Sequence, residues 1–260
     1  MSKFTDDIGH SISGFYDALA VDYDLMTGFT KRFVLEKPFF HMLMDKYKIH
    51  TAFDAGCGTG FHSLLLAQMG VNVSAVDASP EMVRRLQLHA EEMKLVLKTF
   101  VARFEDLPQV VHEKFDLVLC MGNSLAHILI EQDMLAVLKN FRGLLECDGV
   151  LFFQILNYDR ILSRRERIQS KKETAAKTFV RSYEYDEQRI LFNVQTTEKS
   201  NEGTKEKQQT IPLRPWLREE LAELLQRAGF TTVHSYGSIA LQDFQPEESK
   251  DLVILARGEL

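Results

Sequence analysis

The chain has 260 residues, 45% apolar and 26% charged, a balance that fits a globular protein and excludes disorder throughout. Thirty-one Lys/Arg against 37 Asp/Glu leave a net charge of −6, and a chain that neutralises phosphates needs a basic surplus, so a dedicated nucleic-acid binder is disfavoured. Cys57, Cys120 and Cys147 fit neither a zinc spacing nor a disulfide framework, and no signal-like leader or 18-residue apolar run is present, so a cytoplasmic protein with no metal site and no membrane span is expected.

Residues 1–50 read as helical and aromatic-rich. Phe39, Phe40, Leu43, Met44 and Tyr47 share one helical stripe, which predicts a helix with Pro38 in its first turn. Thr51–Ala55 predicts a strand, Gly56–Gly60 a Gly-rich turn, and Phe61–Met69 a helix ended by Gly70. Val71–Asp77 alternates as a second strand. Ser79-Pro80-Glu81 opens the next helix, with serine as cap, proline fixing the first turn and glutamate at the positive end. Met82, Val83, Leu86, Ala90 and Met93 give it a buried face. Leu95–Val101 and Phe115–Cys120 follow as strands, then Glu131–Leu145 as a helix. Gly149–Leu156 is apolar nearly throughout, as befits a strand covered on both faces. Such alternation implies an α/β fold around a parallel sheet.

The rhythm breaks after Asn157. Arg164–Arg181 holds seven Lys/Arg against two Glu, a stretch that reads either as a solvated face or as an anion site. Thr178–Asp186 and Arg189–Lys199 read as antiparallel strands, 201–203 as a turn and Gln208–Leu213 as a third strand. Leu217–Ala228 is an amphipathic helix, and Phe230–Ser235 and Leu252–Ala256 close the chain as strands. The expected organisation is a helical segment (1–50) covering a ligand, an α/β domain (51–157 and 213–260), and an inserted β cap (158–212) shaping a substrate pocket.

The chemistry concentrates at Asp54-Ala55-Gly56-Cys57-Gly58-Thr59-Gly60. A strand delivers the chain to this turn and a helix starts at once, so backbone amides at a helix N-terminus can face a ligand. A dinucleotide fingerprint would place its third glycine one residue later. Asp77 ends the second strand, where a carboxylate can take both hydroxyls of a ribose or simply cap a helix.

These residues, with Glu105-Asp106 after the third strand, resemble the class I S-adenosylmethionine-dependent methyltransferases. Met121-Gly122-Asn123-Ser124-Leu125-Ala126-His127 and Asn157-Tyr158-Asp159-Arg160 resemble the glycine N-methyltransferase-like, small-molecule branch. The resemblance implies a doubly wound Rossmann-like sheet of seven strands, the last antiparallel. It implies S-adenosyl-L-methionine as cofactor, S-adenosyl-L-homocysteine as product and direct SN2 methyl transfer to a small-molecule acceptor, an amine by preference. Carried over by position, Asp54, Gly56 and Gly58 would serve the cofactor from the turn, with Gly56 on its amino-acid part. Asp77 would hold the ribose, Met82 would pack on the adenine, and Glu105 and Asp106 would border that base. Met121 would offer a carbonyl to the cofactor's amino group, and His127 would sit near its carboxylate. Tyr16 and Tyr23 would lie over the methyl donor, and Asn123 would face the acceptor, which makes Asn123 and Tyr23 the catalytic candidates.

One position departs from the branch. An arginine that pairs with the glycine carboxylate precedes Asn-Tyr-Asp in glycine N-methyltransferase, and here that position is Leu156. Glycine is therefore not the expected acceptor unless the cap supplies a cation, with Arg160 and Arg181 as candidates and Tyr183, Tyr185, Asn193 and Gln195 as further cap residues. A nicotinamide-dependent oxidoreductase or a non-catalytic adenosyl-binding module would share the glycine turn. A nucleic-acid aminomethylase would carry Asx-Pro-Pro-aromatic where this chain has Gly122-Asn123-Ser124-Leu125. No sequence feature decides between a monomer and a homo-oligomer.

Overall fold

The computed structural model describes residues 12–174, 177–186, 189–200 and 203–258. Helices α1 (12–19), α2 (Tyr23–Thr27) and α3 (Phe29–Tyr47) come first. Next are β1 (Thr51–Ala55), α4 (Phe61–Gln68), β2 (Asn72–Asp77), α5 (Pro80–Glu92), β3 (Lys98–Val101) and α6 (Leu107–Val110). Then β4 (Phe115–Cys120), α7 (Glu131–Leu144), β5 (Leu145–Leu156) and α8 (Tyr158–Arg164) follow. Four strands come in succession: β6 (Ile168–Glu173), β7 (Lys177–Tyr185), β8 (Ile190–Ser200) and β9 (Gly203–Leu213). Helix α9 (Arg218–Arg227), β10 (Thr232–Tyr236) and β11 (Asp251–Arg257) complete the chain.

Seven strands form one sheet in the order β10-β11-β5-β4-β1-β2-β3, parallel except that β11 runs against both neighbours. Two-sided burial explains the apolar run of β5. Leu151, Phe153 and Ile155 join the core under α7 and α9, while Val150 and Phe152 join the core under α3 and α4. Helix α7 packs through Met134, Val137, Leu138 and Phe141, one stripe at helical spacing. The chain builds outward from β1 to β2 and β3, then returns to β4 on the other side. That reversal opens a crevice at the carboxyl ends of β1 and β4, the place where open α/β sheets bind ligands.

Strands β6 to β9 make a separate antiparallel sheet. Its Phe179, Val194 and Ile211 pack on Phe15, Leu19 and Met26 of the N-terminal helices, and this apolar seam ties the cap to α1 and α2. Among the described residues no helix is long and apolar enough to cross a membrane.

The sequence reading needs four corrections. Helix α3 starts at Phe29, so Pro38 lies in its interior rather than its first turn. The missing N–H leaves the carbonyl of Val34 without a helical donor, and Val34 is 78% exposed, so water can reach it. Leu95–Leu97 is not strand, because Lys94 turns left-handed at φ +56 and the amide of Leu95 folds back onto Ala90 O at 2.8 Å. Strand β9 is twice as long as Gln208–Leu213, running from Gly203. The basic stretch also holds a strand that composition hid, β6, which pairs with β7. The turn expected at 201–203 lies partly outside the described residues.

Candidate active site

The turn after β1 is held by internal bonds. The amides of Gly56 and Cys57 both donate to Val76 O, at 2.8 and 2.9 Å, and the Gly60 amide donates to Cys57 O at 3.0 Å. The Gly58 amide donates to Asp77 Oδ2 at 2.8 Å. The expected cradle of free amides at 56–60 is therefore corrected: four of those donors are spent in closing the turn against β2. What the turn offers a ligand is carbonyls and close approach. Gly56 has φ +75, and a Cβ there would meet Ser124 Oγ at 2.8 Å. At Gly60, φ +93, a Cβ would sit 2.1 Å from Leu86 Cδ1.

Asp77 ends β2 on the crevice wall. Its second oxygen accepts the Ser79 amide at 2.9 Å. Each oxygen keeps a free lone pair, enough for the two hydroxyls of a ribose. Burial pushes its pKa up to about 6, against the pull of its backbone hydrogen bonds.

Helices α1 and α2 lie over the crevice and are tied to its floor. Ser79 Oγ donates to Asp17 at 2.5 Å, and Thr59 Oγ1 donates to Asp24 at 2.6 Å. This places Tyr16 and Tyr23 on the cavity wall, their rings 6.3 Å apart. The Tyr16 hydroxyl bonds His127 Nε2 at 2.7 Å. Burial lowers the His127 pKa to about 4, so its ring is neutral, and its Nδ1 is buried without a partner. Burial also raises both tyrosine hydroxyls.

The crevice gathers Tyr16, Tyr23, Gly56, Gly58, Asp77 and Met82. Glu105, Met121 and His127 line it as well. Two expected residues do not. Asp54 is buried behind the turn, where it accepts from Ser63 Oγ at 2.5 Å, so its role is to brace α4 against β1. Asp106 lies off the wall because the short 3-10 turn Phe104–Asp106 aims Glu105, not its neighbour, toward the cavity. Arg32 was missed: α3 begins nearly three turns before the stripe at Phe39, and the cue was the i,i+4 pair with Glu36, whose Oε1 takes Arg32 Nε at 2.7 Å.

A second pocket adjoins the first and shares with it Tyr16, Tyr23, Thr27, Arg32, Gly122 and His127. Its remaining wall includes Asn123, Leu156, Gln169, Arg181 and Tyr183. The Asn123 carboxamide is already engaged, donating to Tyr158 Oη at 2.9 Å and accepting from the Leu156 amide at 3.0 Å. Asn193 and Gln195 bond within the cap, to Glu184 and Glu206, and are off this wall. Among the described residues no cluster of His, Cys, Asp and Glu could hold a metal ion.

The crevice suits an adenosyl sulfonium. A carboxylate awaits a diol, Met82, Ala102 and Phe104 form an apolar slot for a flat base, and Arg32 stands where the ligand's anionic end can reach a cation. Comparison with known proteins agrees. A family model described as a methyltransferase domain matches residues 52–149. The glycine/sarcosine N-methyltransferase of Aphanothece halophytica is 27% identical over 94% of this chain and 88% of its own length. Human glycine N-methyltransferase is 30% identical, over 46% of this chain and 45% of its own. An S-adenosylmethionine-dependent methyltransferase structure from Clostridium acetobutylicum superposes with a TM-score of 0.81, covering 94% of this chain and 99% of that one at 16% identity. The chain carries an S-adenosylmethionine-dependent methyltransferase domain. It is similar to the glycine and glycine/sarcosine N-methyltransferases, and S-adenosylmethionine is its cofactor.

Proposed function

We propose that this enzyme methylates a small-molecule amine other than glycine itself. The supporting observation is the shared wall: one set of side chains faces both the cofactor crevice and the pocket beside it. The bound cofactor supplies an electrophilic methyl carbon on a sulfonium. Asp77 fixes the ribose, Glu105 borders the base, and Arg32 and His127 meet the carboxylate end. The carbonyl of Met121 takes the amino group. Tyr16 and Tyr23 close over the methyl position and exclude water. The strands after residue 158 act as the acceptor cap.

Among the described residues no side chain on the acceptor pocket is a competent base at neutral pH. Burial raises the hydroxyls of Tyr16, Tyr23, Tyr158 and Tyr183, and it lowers His127. No carboxylate lines the acceptor pocket among the described residues, whereas two arginines do. An ammonium ion is disfavoured next to those cations, so the amine enters neutral after losing its proton to water. Catalysis then rests on alignment, which supplies on the order of 7–11 kcal/mol. Asn123 positions rather than reacts: Oδ1 accepts the Leu156 amide and one N–H is given to Tyr158 Oη, which leaves the second N–H to orient the acceptor. Leu156 puts an apolar side chain on the pocket wall, which leaves the glycine carboxylate unmatched at that position.

The test is transfer of a labelled methyl group to a panel of amines and phenols, glycine and sarcosine included. The expected product is an N-methylated amine larger than glycine, formed faster as pH rises toward the amine's own pKa. Transfer to phenols alone, or glycine as the best acceptor, overturns the reading.

A further inference from the structure

We infer that Arg181 anchors the acceptor through an anionic group: the substrate carries a carboxylate near its reacting amine, on an apolar body. This deepens the amine reading above and rests on it. Arg181 sits on β7, opposite Ser170 of β6 and Val194 of β8. Its Nε donates to Ser170 Oγ at 2.7 Å, which fixes the plane of the guanidinium. Among the described residues its two terminal nitrogens have no hydrogen-bond partner, and it makes no ion pair. It lines the acceptor pocket together with Tyr16, Tyr23 and Tyr183.

The other positive residues are otherwise disposed. Arg32 is paired with Glu36 at 2.7 Å and stacked 4.1 Å from the centre of the Phe61 ring. Arg160, the second cap candidate, is not on the pocket wall. Among the described residues the pocket therefore holds one guanidinium free to take a ligand and no carboxylate to neutralise it. A singly charged planar carboxylate matches that fork in charge and shape. A doubly charged phosphate would leave one negative charge uncompensated against Phe15, Leu19 and Phe192. Gln169 adds an independent sign of a missing ligand, because its Oε1 is buried without a partner and can accept an N–H. The pocket's free cation therefore lies on the cap, away from Leu156 at the end of β5. Leu156, Leu213 and Phe192 give the wall apolar surface, which calls for an acceptor larger than glycine.

The experiment compares phenylalanine and leucine with their carboxamides, alongside glycine and phosphoethanolamine, at equal concentrations of neutral amine. Binding is read by calorimetry on enzyme saturated with S-adenosylhomocysteine, and turnover by labelled methyl transfer. The acids are expected to exceed their amides by about tenfold or more in affinity and in kcat/KM, the usual value of a charged hydrogen bond. Arg181→Gln should erase that preference, chiefly through KM, and Arg181→Lys should restore part of it. Cofactor affinity should be the same in all three proteins, which shows the fold intact. Amides bound as well as acids, or an acid preference that survives in R181Q, overturns the anchor while the amine reading stands. Preference for phosphoethanolamine overturns the carboxylate assignment. If no amine is methylated and phenols are, the amine reading itself falls, and the anchor with it.

Discussion

The donor crevice takes its floor from two loops that follow neighbouring strands, Gly56–Gly60 after β1 and Met121–Asn123 after β4, whereas the acceptor pocket is gathered from residues as far apart as Phe15 and Leu213. In the first, the floor side chains are placed by local turns: Asp77 by its bonds to Gly58 and Ser79, Ser79 by capping α5. In the second, position depends on how a four-stranded sheet sits on two short helices through Phe179, Val194 and Ile211. A turn has few ways to be built and a seam between distant segments has many. The donor half can therefore stay fixed in kind while the acceptor half changes its chemistry.

The sharpest way to break the donor half is Gly60→Ala. The added Cβ meets Leu86, which is fully buried, and it also enforces a left-handed backbone. Strain and overpacking together should cost about 3 kcal/mol, read as a lower urea midpoint. An unchanged midpoint would show that the turn is softer than its hydrogen bonds imply. Asp77→Ala comes next. It removes the ribose carboxylate and strands two amides, so S-adenosylmethionine affinity should fall about 100-fold by calorimetry. Asp77 also gives the donor half its own pH signature. With its pKa pushed up to about 6, the carboxylate is ionised above that pH and protonated below it. Affinity should be level above pH 6 and weaken below it, by up to about tenfold per pH unit. Asp77→Asn should lose that profile. The acceptor half answers to a different substitution, Arg181→Gln, which should move acceptor KM by about tenfold and leave donor affinity alone.

The same contrast explains what could be read from the chain. The alternation of strands and helices and the turn at Gly56–Gly60 were legible because hydrophobic period and glycine spacing are local signals, whereas the count of seven strands and the antiparallel last strand came from the family resemblance. Nine of the residues assigned to the cofactor or to catalysis do lie on the crevice wall. Asp54 failed because a sequence cannot say whether a carboxylate at a strand end points to the ligand or back at a helix, and here Ser63 claims it. Asp106 failed because the sequence reading put Glu105-Asp106 in a loop, and a single 3-10 turn decides which of two adjacent acids faces inward. Arg32 was invisible for a different reason: its helix begins nine residues before the proline taken as its start. Arg181 was named beside Arg160 as a candidate cation, from a basic stretch that composition reads either as a solvated face or as an anion site, and it is the pairing of β6, β7 and β8 that singles it out.

The N-terminal lid belongs to both halves, and its latch gives the smallest predicted effect. His89 Nε2 lies 3.2 Å from Asp24 Oδ2, and His89 Nδ1 lies 3.0 Å from Thr59 O, which joins α2 to α5 across the glycine turn. The bond to Asp24 raises the His89 pKa above 6.5, so its contribution is complete below pH 6.5 and fades as pH rises through the raised value. Asp24 stays below 3.8 because its bonds to His89 and Thr59 outweigh the upward push of burial, so its contribution holds above pH 3.8 and fades only in acid. The latch is therefore strongest between pH 3.8 and 6.5 and loosens toward alkaline pH. Both side chains are partly exposed, 21% and 26%, and solvent screening holds the gain to within about 1 kcal/mol. Moving from pH 6 to 8.5 should lower the urea midpoint slightly more in the native protein than in His89→Gln, and amide protection factors in Tyr23–Thr27, corrected for the intrinsic pH dependence of exchange, should fall over the same interval only when His89 is present. Identical pH slopes in the two proteins would mean that the apolar seam alone holds the lid, and that Asp24 and His89 merely lie side by side.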